Sequence, residues 1–275
     1  MTTLCPKLPV LALLASVLAV SALCAHGQNG SDATPLLLPA LARFDLAKKS
    51  TTRFTYLYLD HTQNFNAKGK RTVEYRHLYE VIYIADLEYE KLLEMNGKPL
   101  KGKALKEEED RYDQAVRERA ALDQAARSKI EHQEVKHFDV NLKYLATKYR
   151  NTVTGLVKLE GRECLLIDSI PLERATDAPK KRLRIWLDAA QGQILRIEFE
   201  TLADEEGVLG GATGNQSFTY IDGIPVVTQN HIDFNMLLGG KTPIRVVADH
   251  TFTNYRRFVS TLRIVPDPPA EDQRE

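Results

Sequence analysis

Lys181-Arg-Leu-Arg-Ile-Trp-Leu-Asp188, the gap Ala-Ala-Gln-Gly at 189–192, and Gln193-Ile-Leu-Arg-Ile-Glu-Phe-Glu-Thr201 form the stretch whose reading decides the fold. Leu183, Ile185 and Leu187 fall on one parity, as do Leu195, Ile197 and Phe199, with arginines and glutamates opposite. Alternation of this kind marks a strand with one buried and one wet face. A four-residue gap ending in glycine joins two such strands as a hairpin.

The same grammar extends in both directions. Residues 153–159 and 162–170 flank Glu160-Gly161. Phe218 and Tyr220 lead into Asp222-Gly223, a two-residue hairpin signal, and then into Ile224, Val226, Thr228, Ile232 and Phe234. A long run spans Ile244 to Tyr255, with a shorter one around 259–265. Toward the N-terminus, Val73, Tyr75, His77, Tyr79, Val81 and Tyr83 share one parity. Phe54, Tyr56 and Tyr58 alternate with Leu57 and Leu59, so that strand is apolar on both faces and should sit centrally, covered on both sides. The reading is mainly β with some helix (α+β): nine to eleven strands joined mostly by hairpins into one large antiparallel sheet, not βαβ units.

Two segments read as helix. ALARFDLAKK at 40–49 is a short amphipathic helix after an opening broken by Pro35 and Pro39. Residues 102–133 have no Pro or Gly after Gly102 and are rich in Ala, Glu, Arg, Lys and Gln, which predicts a long charged helical insertion. Its apolar stripe (Leu105, Tyr112, Val116, Leu122, Ile130) is thin, so it packs by one edge or stands partly in solvent. The Lys and Glu clusters at 101–110 read as a solvated face.

The chain has 37 Lys and Arg against 37 Asp and Glu, with 43% hydrophobic and 27% charged residues. No basic field is present to hold a nucleic acid, and the chain is apolar enough to form a core. Residues 1–27 carry one charge, Lys7, then an apolar run from Leu8 to Val20 and small residues ending Ala25-His26-Gly27. The run is short for a membrane span and suits a cleaved secretory signal, with a mature start at Gln28 and no membrane-spanning segment after it. Leu23 before Cys24 disfavours lipidation. Cleavage would leave Cys164 as the single cysteine, with no internal disulfide. Residues 28–265 are taken as one domain, and 266–275 (DPPAEDQRE after Pro266) as a disordered tail.

Catalytic signatures fail in turn. Leu238-Gly-Gly-Lys-Thr242 lacks the first glycine of a phosphate loop and is followed by Pro243 and a strand. His132 and His137 lie five apart, about 140° around a helix, and cannot share a metal on one face. GVLGGATG at 207–214 is a loop. Asp168, Asp188 and Asp233 could pair in space, but β proteins commonly carry such residues at strand ends for turns. No cofactor, metal or catalytic residue is assigned. The apolar stripe supplies the candidates instead: Tyr56, Tyr58, Tyr79, Tyr83, Leu195, Ile197 and Phe199, which would line a hydrophobic cavity if the curled sheet is incompletely filled.

FTYLYLDHTQNFNAKGKRTVEYRHLYEVIYI (54–84), GRECLLIDSIP (161–171), RIWLDAAQGQILRIEFE (184–200) and YIDGIPVVTQNHIDF (220–234) together resemble the LolA/LolB-like superfamily of periplasmic lipoprotein carriers and lipoprotein-sorting proteins. They also resemble, more distantly, the N-terminal domain of the RseB/MucB regulators. The resemblance is one of pattern, strongest over about 155–235 and weaker over 51–95. It implies a half-open barrel, a curved antiparallel sheet around helices, that holds acyl chains without catalysis. The expectation is an exported, periplasmic, non-enzymatic protein that binds an acyl chain, a lipid or a lipidated protein or peptide and serves envelope lipid or lipoprotein trafficking. The alternative is an envelope sensor or interaction module with a filled core, docking a protein partner through the 102–133 helix.

Overall fold

The computed structural model describes residues 30–48, 53–123, 125–127, 130, 144–173, 179–204, 207–239 and 242–258. The expected leader (1–27), His132, His137, the expected run at 259–265 and the expected tail (266–275) lie outside the described residues. Eleven strands form one antiparallel sheet: β1 (Arg53–Asn66), β2 (Arg71–Ile84), β3 (Leu87–Met95), β4 (Lys98–Pro99), β5 (Tyr149–Leu159), β6 (Arg162–Pro171), β7 (Lys181–Asp188), β8 (Ile194–Thr201), β9 (Thr213–Ile221), β10 (Ile224–Leu238) and β11 (Thr242–Phe258). Their spatial order is β4-β3-β2-β1-β11-β10-β9-β8-β7-β6-β5, so two meanders join where the first strand pairs with the last. The sheet is curved and does not close, consistent with a half-open barrel.

Hairpin chemistry sets the turns. Glu160-Gly161 and Asp222-Gly223 both take positive φ at both central residues, the mirror-image turn whose twist matches antiparallel strands. The free edge of β5 is partly covered. Gly30 and Ala33 donate to the carbonyls of Val153 and Asn151, and Ser31 accepts from Val153, so the segment before the first helix pairs along that edge.

Helix α1 (Thr34–Lys48) starts earlier than the sequence suggests and runs through Pro39. Asp32 Oδ1 accepts from the Thr34 amide at 2.9 Å, and Pro35 sits in the first turn, where its missing N–H costs nothing. Pro39 does forfeit one helical bond. Burial of Leu37, Ala40, Leu41 and Phe44 against the sheet outweighs that loss. The helix is also not amphipathic in the simple sense, because Leu38 and Leu46 are exposed on its other side.

Helix α2 (Gly102–Ala120) is shorter than the continuous helix expected over 102–133. The final turn closes with the Ala121 amide on the carbonyls of Arg117 and Glu118. Asp123 Oδ1 then accepts from the Ala126 amide at 2.8 Å, so its side chain caps a new short helical turn at 125–127, separate from α2. A third, short helix, α3 (Leu145–Lys148), leads into β5.

The core lies between α1, α3 and strands β5–β8. Leu37, Leu145, Ile167, Ile185, Ile194 and Ile197 are its largest enclosed side chains. Arg43 of α1 reaches the β7–β8 turn and donates to the carbonyls of Gln191 at 2.5 Å and Gly192 at 3.1 Å. β1 lies between β2 and β11, as its two apolar faces suggest.

Candidate ligand-binding face

Residues directly opposite each other on neighbouring strands share a face of a sheet. One unbroken row of such partners crosses nine strands: Val153, Ile167, Ile185, Ile197, Gln216, Asn230, His250, Asp60 and His77. Because Ile167, Ile185 and Ile197 pack in the α1 cluster, the whole row marks the face that α1 covers, here called the inner face. Its chemistry changes along its length, from aliphatic at β5–β8 to polar and titratable at β10–β2.

At the β5–β8 end the inner face is filled. Phe44 of α1 stands edge-on to Phe218 at 5.1 Å and to Tyr220 at 6.4 Å. Ile197 and Phe199 belong to this end, and the Phe199 ring lies across Gly214 of β9. Leu195 is displaced from the pattern. A bulge pairs Leu187 with Ile194 and Trp186 with Arg196, so Ile194 takes the core position and Leu195 is buried outside that cluster.

At the other end the four tyrosine candidates come together. Tyr58 stacks on its cross-strand partners Tyr79 (5.6 Å) and Phe252 (5.1 Å). Tyr56 contacts Phe252 at 6.0 Å and Tyr255 at 5.0 Å, and Tyr255 meets Phe54 edge-on at 6.1 Å. Tyr83 closes the run against Phe258 at 4.9 Å. These tyrosines are half-buried and keep some contact with solvent. β11, β10 and β9 separate β1 from β8, so Tyr56 and Tyr58 lie four strand spacings, about 19 Å along the sheet, from Ile197 and Phe199, and Tyr79 and Tyr83 lie one strand further. Six of the seven candidates therefore occupy two territories of one face, and Leu195, in the bulge, belongs to neither.

Polar groups that the sequence reading did not select lie among the rings. Asp60 accepts from Thr62 Oγ1 at 2.8 Å and faces His250 Nε2 at 3.5 Å. Asn230 Nδ2 lies 3.2 Å from His250 Nδ1, a geometry in which the amide donates to an unprotonated Nδ1 and the Nε2 proton faces Asp60. Burial pushes the Asp60 carboxyl up, but the bonds from His250 and Thr62 outweigh it and hold it below its ordinary value. The readable signal was the pair of Asp-His dipeptides, Asp60-His61 and Asp249-His250. Paired antiparallel, they put one Asp–His couple on each face.

Glu88 and Glu90 oppose Tyr83 and Val81, and so point to the inner face as well. The Tyr83 hydroxyl donates to Glu88 Oε1 at 3.0 Å. Glu90 keeps solvent contact, yet the surrounding protein, and after it the charge of Glu88, hold its carboxyl above the ordinary value. Burial, and then carboxylate charge from Glu88 or Asp60, pushes the hydroxyls of Tyr56 and Tyr58 far up, so both stay protonated.

The outer face is an ion-pair ladder. Asp168 pairs with Arg182 and Arg184, Asp233 with Arg245, His231 with Asp249 and His61 with Glu74. Asp188 caps its turn and pairs with Arg162. Asp168, Asp188 and Asp233 are thus held by separate partners. A cleft of about 250 Å³ between Arg182, Arg184, Glu198, Glu200, Thr213 and His231 opens on this charged face. α2 also packs here, against Tyr89 of β3, whose hydroxyl donates to buried Glu108 at 3.0 Å. Cys164 is fully buried, and burial pushes its thiol up.

Among the described residues no group of three or more His, Cys, Asp or Glu is placed to hold a metal ion, and no helix is long and apolar enough to cross a membrane.

No family model matches the chain, and no curated protein was found similar to it. Solved structures similar to it include a protein described as an outer membrane lipoprotein-sorting domain from Vibrio parahaemolyticus, at 12% identity over 82% of this chain and 91% of that one, with a TM-score of 0.36. A DUF1329 family protein from Desulfovibrio piger matches at 14% identity over 81% and 95%, TM-score 0.32. A LolA superfamily protein from Nitrosomonas europaea matches at 10% identity over 83% and 95%, TM-score 0.30.

Proposed function

We propose that the protein is exported to the cell envelope and binds the apolar part of a ligand, an acyl chain, lipid or lipidated peptide, on the inner face of strands β1, β2 and β11, with no chemistry of its own. The observation that carries this reading is the division of the inner face. α1 fills one end, whereas the rings of Tyr56, Tyr58, Tyr79, Tyr83 and Phe252 remain partly open at the other. Soluble chains seldom leave a contiguous aromatic surface open without a use for it. Covering it with an aliphatic chain contributes about 0.8 kcal/mol per buried methylene, so a chain of ordinary acyl length binds even after the cost of immobilisation. The leader-like pattern of residues 1–27, one charge followed by a short apolar run, supports the location.

Native mass spectrometry of the protein purified from its own envelope tests the reading. An added mass in the lipid range, displaced by an apolar fluorescent probe, is the expected result. A clean apo mass together with no response to the probe would sink it.

A further inference from the structure

We propose that the open aromatic end of the inner face takes an amphiphile whose polar end is cationic, an alkyl chain bearing an ammonium group. This rests on the binding reading above and adds the headgroup chemistry.

The argument is charge complementarity on that face. Three carboxylates, Asp60, Glu88 and Glu90, stand on the inner side of β1 and β3 among the tyrosines. The nearby arginines are already engaged. Arg53 pairs with Asp86 and lies 5.3 Å over the Tyr83 ring. Arg257 pairs with Asp222 at 2.7 Å, and Arg111 with Glu108 on the outer side at 2.6 Å. His77 and His250 face Asp60, and Glu90 has no ion-pair partner within reach among the described residues, the charges of Arg111 and His250 acting on it only from a distance. Among the described residues the Glu90 carboxylate and the Tyr56 and Tyr58 hydroxyls make no hydrogen bond. The face therefore offers acceptors and aromatic surface, a combination that favours an ammonium group over an anion, for which it holds no free arginine or lysine among the described residues.

Titration calorimetry below the critical micelle concentration with dodecylammonium, dodecyl maltoside and dodecyl sulfate separates the two claims. The expected result is binding of the ammonium compound about tenfold tighter than of the sulfate. Glu90→Gln should reduce that preference several-fold and leave the maltoside affinity unchanged, with circular dichroism confirming the fold. Glu88→Gln provides a second carboxylate variant if Glu90→Gln unfolds. Equal affinity for the three overturns the headgroup inference and leaves the apolar reading standing. No binding of any of them overturns both. An ammonium preference that survives both substitutions places the attraction elsewhere and also overturns the inference.

Discussion

Gly214 is the position where one methyl group should cost most for its size. It sits on β9 opposite Phe199 of β8 and Ile232 of β10. A Cβ there would lie 2.5 Å from Phe199 Cε1 and Cζ and 2.6 Å from the His231 carbonyl oxygen. The ring belongs to the packed edge of the core and the carbonyl to the sheet backbone, so neither can move freely. Overpacking of this kind costs about 1–3 kcal/mol, and two simultaneous contacts put Gly214→Ala near the upper end, about 2–3 kcal/mol. For a chain of this size that is a fall in Tm of about 4–12 °C. Phe199→Ala alone should cost about 3 kcal/mol through lost packing. In the double variant the ring contact disappears but the carbonyl contact stays, so its loss should fall short of the sum of the singles by about 1 kcal/mol. Urea unfolding followed by the fluorescence of Trp186, the single tryptophan, measures all three variants. A Gly214→Ala variant within about 0.5 kcal/mol of the parent, or strictly additive singles, would refute the claim that Phe199 uses the space a side chain would take.

Arg43→Ala removes two bonds to the β7–β8 turn and should cost about 1–2 kcal/mol in the same assay, with α1 amides exchanging faster than those of β7. Burial raises the Asp168 carboxyl, but the bonds from Arg182 and Arg184 win and its pKa is depressed. Its contribution is therefore full above the unfolded carboxylate range and is lost as pH falls below that range through the depressed native value. The stability gap between parent and Asp168→Asn should be widest near neutrality and close on acidification, as read by urea melts at stepped pH. Glu108→Ala should loosen α2 from β3 at a cost of about 1–3 kcal/mol. Tyr89, whose hydroxyl is pushed up to about 12 by burial and then by its bond to Glu108, should ionise at lower pH in that variant, as followed by ultraviolet titration.

Period-2 alternation made the β class legible because a strand's two faces are written on alternate residues. The β7–β8 hairpin and the turns at Glu160-Gly161 and Asp222-Gly223 could be placed for that reason. Helix ends were harder. Pro39 reads locally as a break, yet core burial carries α1 through it, and α2 stops at Ala120 while the Asp123 side chain caps a separate turn, a boundary that composition does not reveal. Leu195 was placed with Ile197 and Phe199 by parity, and one bulge undid that parity.

The sequence by itself determined which residues alternate, where hairpins turn, and that neutral charge leaves no basic field. Only the tertiary structure decided which apolar positions share an environment. Strand order is fixed by pairings as distant as Asp60 with His250. That pairing joins the two meanders and sets four tyrosines, two histidines and three carboxylates on one face, three or more strands away from the β8 residues that carry the same alternation. Alternation assigns a side chain to a face, but where along that face it lies depends on contacts between residues far apart in the chain.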